Sequence, residues 1–283
     1  MYQPATNSKQ CYALRHGYDF IFDTNAATSS LNPWWRKVMA TKKYLPFYDW
    51  VFWMDADTLV TNYTVRLEWF LPENDADTHL VVTDHNIALN DGAFFLRNSD
   101  WSTRFLDRWL ELGLEVHNRG QRWAWDDQGA FYELLLIEAH SSPGHVEYDN
   151  ECSRSNRCCE YLPLQRCFNR RLEQTGSVFG DRHVPHVTFI DPRYHPVPSE
   201  PGNAWVRGGF DQYREVEFQG EVWIYGEWSK ENFWHRGDFV LHSSAKSFMK
   251  AFVPDAFTDS CALALAMDVP PRRTLKLQRP PVT

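Results

Sequence analysis

No run of about 18 apolar residues, the length needed to cross a bilayer, occurs in the sequence. Residues 1–20 also lack the apolar stretch that opens a secretory signal, so the chain as it stands is expected to be soluble. Positive charge is scarce, since 29 Lys and Arg face 37 Asp and Glu for a formal net charge of -8. A chain with no sequence-wide basic field is a poor partner for nucleic acid or anionic membrane. The sequence shows no internal repeat or low-complexity tract. Only six cysteines are present and none forms the C-x-x-C pairs of a structural zinc knuckle. Four of them, Cys152, Cys158, Cys159 and Cys167, crowd one loop-rich segment. Disulfides there fit better than zinc and would imply an oxidising lumen, with which the sequon Asn62-Tyr63-Thr64 agrees.

What is present suits one large α/β domain. The 283 residues include 43% hydrophobic side chains, enough for a substantial core. Residues 1–260 are expected to form a single domain with an irregular, Cys-containing insert at about 140–180, and residues 261–283 a partly disordered tail. Thirteen tryptophans either fill the core or stack on the flat faces of sugars.

Helix and strand signals alternate along the first half. Residues 8–17 predict the end of a helix closing at Gly17, followed by a strand at 19–22. Asn32-Pro33 opens a helix to about Leu45, with Pro33 in the first turn. Residues 51–55 form an apolar run ending in acid, expected as a buried parallel strand whose C-terminal end meets a ligand. Strands are predicted at 79–84, 92–98 and 187–192, and helices from about Trp101 to Val116, capped by Ser99 or Asp100, and over 125–139, capped by Asp126. Loops with short strands are expected over 200–235, and a short strand within 237–246 delivers His242.

Asp55-Ala56-Asp57 directly follows the apolar strand, which puts two carboxylates at its edge with a small residue between them. Such a pair can hold Mn2+ or Mg2+ and leave positions for diphosphate oxygens; the bland alternative is a pair of solvated turn acids. Asp126, Asp127 and Gln128 bring a second polar cluster to a helix start, where a reaction centre could use it. His242 offers a third metal ligand through an imidazole nitrogen.

Six motifs then occur in order: K-Q-C-Y-A-L-R-H-G-Y, P-W-W-R-K, V-F-W-M-D-A-D-T-L-V-T-N, L-N-D-G-A-F-F-L-R-N-S-D-W-S, W-D-D-Q and G-D-F-V-L-H. Together they resemble glycosyltransferase family 34, which includes fungal α-galactosyl- and α-mannosyltransferases and plant xyloglucan α-xylosyltransferases. The resemblance implies a GT-A, Rossmann-like fold with a mixed central sheet flanked by helices. It implies a retaining, metal-dependent transfer from a UDP-sugar or GDP-mannose to a glycan acceptor. By that resemblance Asp55, Asp57 and His242 hold the metal, and Lys37, Asn90 and Gly92 line the donor site. Asp126, Asp127 and Gln128 lie beside the anomeric carbon, and either Gln128 or Asp127 stabilises the developing positive charge. Lys246 resembles a phosphate-contacting lysine, at a spacing from His242 one residue shorter than the family's.

The mechanism implied is front-face substitution, with a covalent carboxylate intermediate as the competing route. The family also implies a first nucleotide-binding strand upstream of the first helix, for which only about seven residues remain, so that strand is expected to be missing. A longer parent chain, anchored as a type II membrane protein and facing the Golgi lumen, is the expectation carried over. Two rivals stand beside the transferase. One is a carbohydrate-binding protein without catalysis. The other is a haloacid-dehalogenase-type phosphatase, against which Leu59 occupies the place where a Thr or Val is wanted.

Overall fold

The computed structural model describes residues 3–23, 31–72, 75–84, 89–118, 126–140, 184–190, 206–208, 215–218, 221–224 and 239–242. Helix α1 (Gln3–His16) stops at Gly17, whose φ of 75° is the left-handed conformation that costs glycine no Cβ clash. Tyr18 N–H then reaches back to Ala13 O at 2.9 Å, closing the helix end. The strand expected at 19–22 does not form. Side chains anchor this stretch instead: Asp19 accepts from the Tyr48 hydroxyl at 3.1 Å and Asp23 from Lys43 Nζ at 2.8 Å. Ile21 and Phe22 stand 41% and 64% exposed, without the burial that rewards a strand.

Asn32 caps a 3-10 turn, Pro33–Trp35, which leads into helix α2 (Arg36–Tyr44). Strand β1 (Trp50–Met54) follows, then a tight turn and strand β2 (Thr58–Val60). Strands β3 (Leu80–Asp84) and β4 (Leu89–Arg97) come next, and Ser99 caps helix α3 (Asp100–Asn118) by accepting from Ser102 N–H at 3.1 Å. Helix α4 is Asp126–His140 and strand β5 Val187–Ile190. The remaining strands are β6 (Val206–Gly208), β7 (Glu215–Phe218), β8 (Glu221–Ile224) and β9 (Val240–His242).

The central sheet is mixed, in the order β1-β4-β3-β5: β4 is antiparallel to both neighbours and β3 runs parallel to β5. This corrects one expectation, because β1 pairs antiparallel with β4, and its residues are half-buried rather than fully enclosed. A second sheet has the order β2-β9-β6, and β7 pairs with β8. The expected mixed α/β architecture is thus observed.

Alternating side chains feed two cores. Leu80, Val82, Phe94 and Leu96 face one way, onto α2, α3 and α4, where Trp109, Phe131 and Leu135 are buried. Val81 and Phe95 face the other way, onto Tyr12 of α1, Val60 of β2, and Phe70 and Phe239. Each large apolar side chain enclosed in this way contributes about 1.5–3 kcal/mol. The 3-10 turn that leads into α2 approaches α3 so closely that the Trp35 ring occupies the place where Gly113 would carry a Cβ.

The ladder between β3 and β4 jumps from Val82–Phe94 to Thr83–Asn90, leaving Asp91, Gly92 and Ala93 without partners on β3. On its other side β4 stays in register, and Ala93 pairs with Met54. This local irregularity turns Asp91 inward at the end of the sheet, where bulges commonly re-aim a side chain.

Candidate functional site

The end of β1 is locked before it turns. Asp55 N–H donates to Gly92 O at 2.7 Å, and Asp55 O accepts from Thr58 N–H at 3.2 Å and from the Thr58 hydroxyl at 2.7 Å. β2 then runs beside β9 with Thr58 opposite His242, which brings the imidazole next to Asp57. His242 Nε2 lies 3.3 Å from Asp57 Oδ1. One ligand atom each from Asp55, Asp57 and His242 lie within 4.8 Å of one another, a set able to hold a metal ion. Burial pushes the Asp57 carboxyl up, but its hydrogen bond and charge interaction with His242 outweigh this and hold it below the usual range. Asp57 is therefore ionised at neutral pH.

Asp55 is oriented by two donors: Trp53 Nε1 reaches Oδ1 at 2.7 Å and Lys37 Nζ reaches Oδ2 at 3.2 Å. The same ammonium lies 3.0 Å from Asp91 Oδ1 and 2.8 Å from Asp127 Oδ2. Lys37, Asp91 and Asp127 are all buried. Burial alone would lower the Lys37 pKa, yet the charges of Asp127, Asp55 and Asp91 raise it well above its ordinary value. For Asp91 burial is the leading cause of a strong upward shift, reinforced by the charges of Asp127 and Asp55 against the opposing pull of Lys37. Three carboxyl groups around one ammonium cannot all ionise cheaply, and burial together with the neighbouring charges of Asp127 and Asp55 favours the protonated form of Asp91. Its Oδ2 has no hydrogen-bond partner among the described residues.

Asp127 belongs to the first turn of α4, which is tied down on both sides. Trp109 Nε1 of α3 donates to Asp127 O at 2.8 Å. Asp126 has a φ of 48°, rare for a residue with a Cβ, and its Oδ1 accepts a hydrogen bond from Asn32 Nδ2. Backbone held in this region costs of order 1–3 kcal/mol and persists where surroundings over-determine it, which is common at functional sites. Gln128 is half-buried, its Nε2 donating to the Tyr132 hydroxyl at 3.1 Å.

The structure therefore gathers Asp55, Asp57, His242, Lys37, Asp127 and the backbone of Gly92, and links Asp126 to them through its chain neighbour. Asn90 is placed by its backbone pairing with Thr83, while its side chain and all of Lys246 lie outside the described residues. Three residues of the site escape a reading of the sequence. Asp91 stands between the two expected positions of its motif but has no spacing that marks it as inward. Asn32 looks only like a helix cap. Lys9 opens the first motif, and its Nζ donates to Asp55 O at 2.5 Å. Burial lowers the Lys9 pKa to about 8 against the opposing charges of Asp55 and Asp57. A lysine there could have been sought as the cation balancing an acid pair, but nothing local signals which carboxylates it meets.

A family model described as "Protein of unknown function, DUF273" matches residues 9–163. The chain is 31% identical over 210 residues to xyloglucan 6-xylosyltransferase 1 of Arabidopsis thaliana, a match covering 63% of this chain and 43% of that protein. It is 30% identical over 119 residues to galactomannan galactosyltransferase 1 of Cyamopsis tetragonoloba, covering 38% of this chain and 26% of that one. These relatives agree with the resemblance read from the six motifs. The chain spans less than half the length of either curated relative. A glycosyltransferase involved in glycosylating the major capsid of PBCV-1 covers 93% of the chain at 12% identity and a TM-score of 0.41, a likeness too loose to argue from.

Proposed function

The chain belongs to the DUF273 family, and on that premise we propose that it is a retaining glycosyltransferase using a nucleotide diphosphate sugar and a glycan acceptor. The observation that carries this reading is the convergence of Asp55, Asp57 and His242 within 4.8 Å at the turn between β1 and β2. Two carboxylates and an imidazole suit Mn2+, or Mg2+, with coordination positions left for diphosphate oxygens. When bound, such an ion neutralises charge on the departing diphosphate.

The rest of the work falls to side chains of the chain itself. Lys37 holds Asp55 and Asp127 in fixed relation, so the metal-binding end and the reacting end of the site move as one unit. Asp127, or Gln128 on the same helical turn, faces positive charge as it develops on the sugar. Front-face substitution is the proposed route, in which the leaving group helps remove the acceptor's proton. Lys9 adds a cation beside the two metal-binding acids, where donor phosphates would need one. Asn90, Gly92 and Lys246 complete the proposed donor site.

Work in the Golgi lumen is part of the same proposal, and it is supported by Cys11, which is buried and disulfide-bonded. Among the described residues no helix is long and apolar enough to cross a membrane. The test is binding of UDP and of GDP with and without Mn2+. Metal-dependent affinity is expected for one of them. Oligosaccharide binding without any metal-dependent nucleotide affinity would favour the non-catalytic carbohydrate-binding reading.

A further inference from the structure

Strand β1 divides its side chains between the two cores. Val51 and Trp53 pack on the side of α2, α3 and α4, whereas Phe52 and Met54 pack on the side of Tyr12 and Phe239. Asp55 continues this alternation, because its N–H still bonds to β4 at Gly92 O, 2.7 Å away. Its carboxylate therefore falls on the Trp53 side of the sheet, where Lys37 of α2 meets Oδ2 at 3.2 Å. Two positions back on the same face, the Trp53 indole Nε1 donates to Asp55 Oδ1 at 2.7 Å.

These two donors restrain Asp55 in different ways. The Lys37 ammonium is shared with Asp91 and Asp127, so it ties three acids together at the end of a long stem. The indole N–H only donates, and the ring sets its direction. That ring is packed against the core beside α2, so the donor stays put and the carboxylate turns to meet it. Contacts of this kind behind a metal ligand matter to the ion, and losing one typically weakens binding about 10–100-fold.

We propose that Trp53 is a positioning residue for the cation, its N–H fixing the rotation of the Asp55 carboxylate so that one oxygen is presented with Asp57 and His242. The role rests on the metal-binding reading of the site. It gives the tryptophan of β1 a task beyond filling space, and one that a phenylalanine cannot perform.

The test titrates Mn2+ alone into the whole chain, wild type and Trp53→Phe, and follows the free ion by its electron paramagnetic resonance signal. Phenylalanine keeps an aromatic ring in the packing and lacks the N–H. The expected result is an unchanged number of ions bound per chain and a Kd raised at least about tenfold. Number and affinity separate two kinds of damage: a chain that fails to fold loses sites, whereas a misaimed carboxylate keeps the site and weakens it. An unchanged Kd overturns the proposal. So does a fall in the number of sites at constant Kd, which makes Trp53 a packing residue alone. Both of those results leave the metal-binding reading standing, because wild type still takes up Mn2+. Wild type that binds no Mn2+ removes the reading and the proposal together.

Discussion

Lys37 Nζ lies 3.0 Å from Asp91 Oδ1, with both side chains almost wholly removed from solvent. Since Asp55 and Asp127 press on the same ammonium, Lys37 is the keystone of the acid cluster. Lys37→Met is expected to destabilise the protein by about 3–5 kcal/mol, because it strands buried carboxylates without their cation. Denaturant unfolding measures this. Adding Asp91→Asn should leave the double variant no worse than the single one, since it removes one of the buried carboxyl groups that Lys37→Met strands. A loss below 1 kcal/mol in Lys37→Met, on the order of an exposed ion pair, would contradict the keystone role.

Asp57→Ala removes a proposed metal ligand at the edge of β2 rather than core volume, so the fold should survive it. Mn2+ is expected to raise the melting temperature of the wild type and to leave that of Asp57→Ala unmoved, because an ion stabilises only a state that binds it. An equal rise in both would separate Asp57 from the cation.

Glu133 of α4 is 4% exposed, and its Oε2 has no hydrogen-bond partner among the described residues. Burial lifts its carboxyl from 4.5 to about 7, with Arg108 pulling weakly the other way. The folded protein thus holds a proton there that the unfolded chain releases first, so stability falls as pH climbs between these two values and levels off above them. The drop is on the order of 3 kcal/mol from this group alone. Glu133→Gln should flatten that part of the profile and be more stable than wild type at pH 8. Parallel profiles for the two proteins would show that Glu133 titrates normally.

Gly113→Ala tests the seam between α3 and the 3-10 turn that leads into α2. A Cβ there would fall 2.6 Å from Trp35 Cη2, so the ring must shift. Overpacking of this kind costs about 1–3 kcal/mol, even though alanine improves helix propensity. Unfolding midpoints decide it, and a gain in stability would mean that the seam has slack.

Much of this was legible in the residues, for definable reasons. Gly17, Asn32 with Pro33, and Ser99 mark helix ends because cap chemistry is local, and each acts where its type predicts. Asp55 and Asp57 were visible because an apolar strand ends on them, and His242 because a short strand carries it. The antiparallel pairing of β1 was not legible, since an apolar run reports burial and not the direction of its neighbour. The strand expected at 19–22 failed because its apolar residues have the right composition but no buried face to pack on. Asp91 stayed hidden because its inward turn depends on a register jump between β3 and β4, a property of two strands together.

The ladder between β2 and β9 has a consequence for how the protein can be assayed. His242 reaches Asp57 only because Thr58 faces it across that ladder. Slippage by one position would set Leu241 opposite Thr58 and turn the imidazole to the reverse side of the sheet. On the proposed metal role, tightness for Mn2+ becomes a ruler for strand alignment, able to tell a correctly zipped preparation from a misaligned one before any activity is assayed.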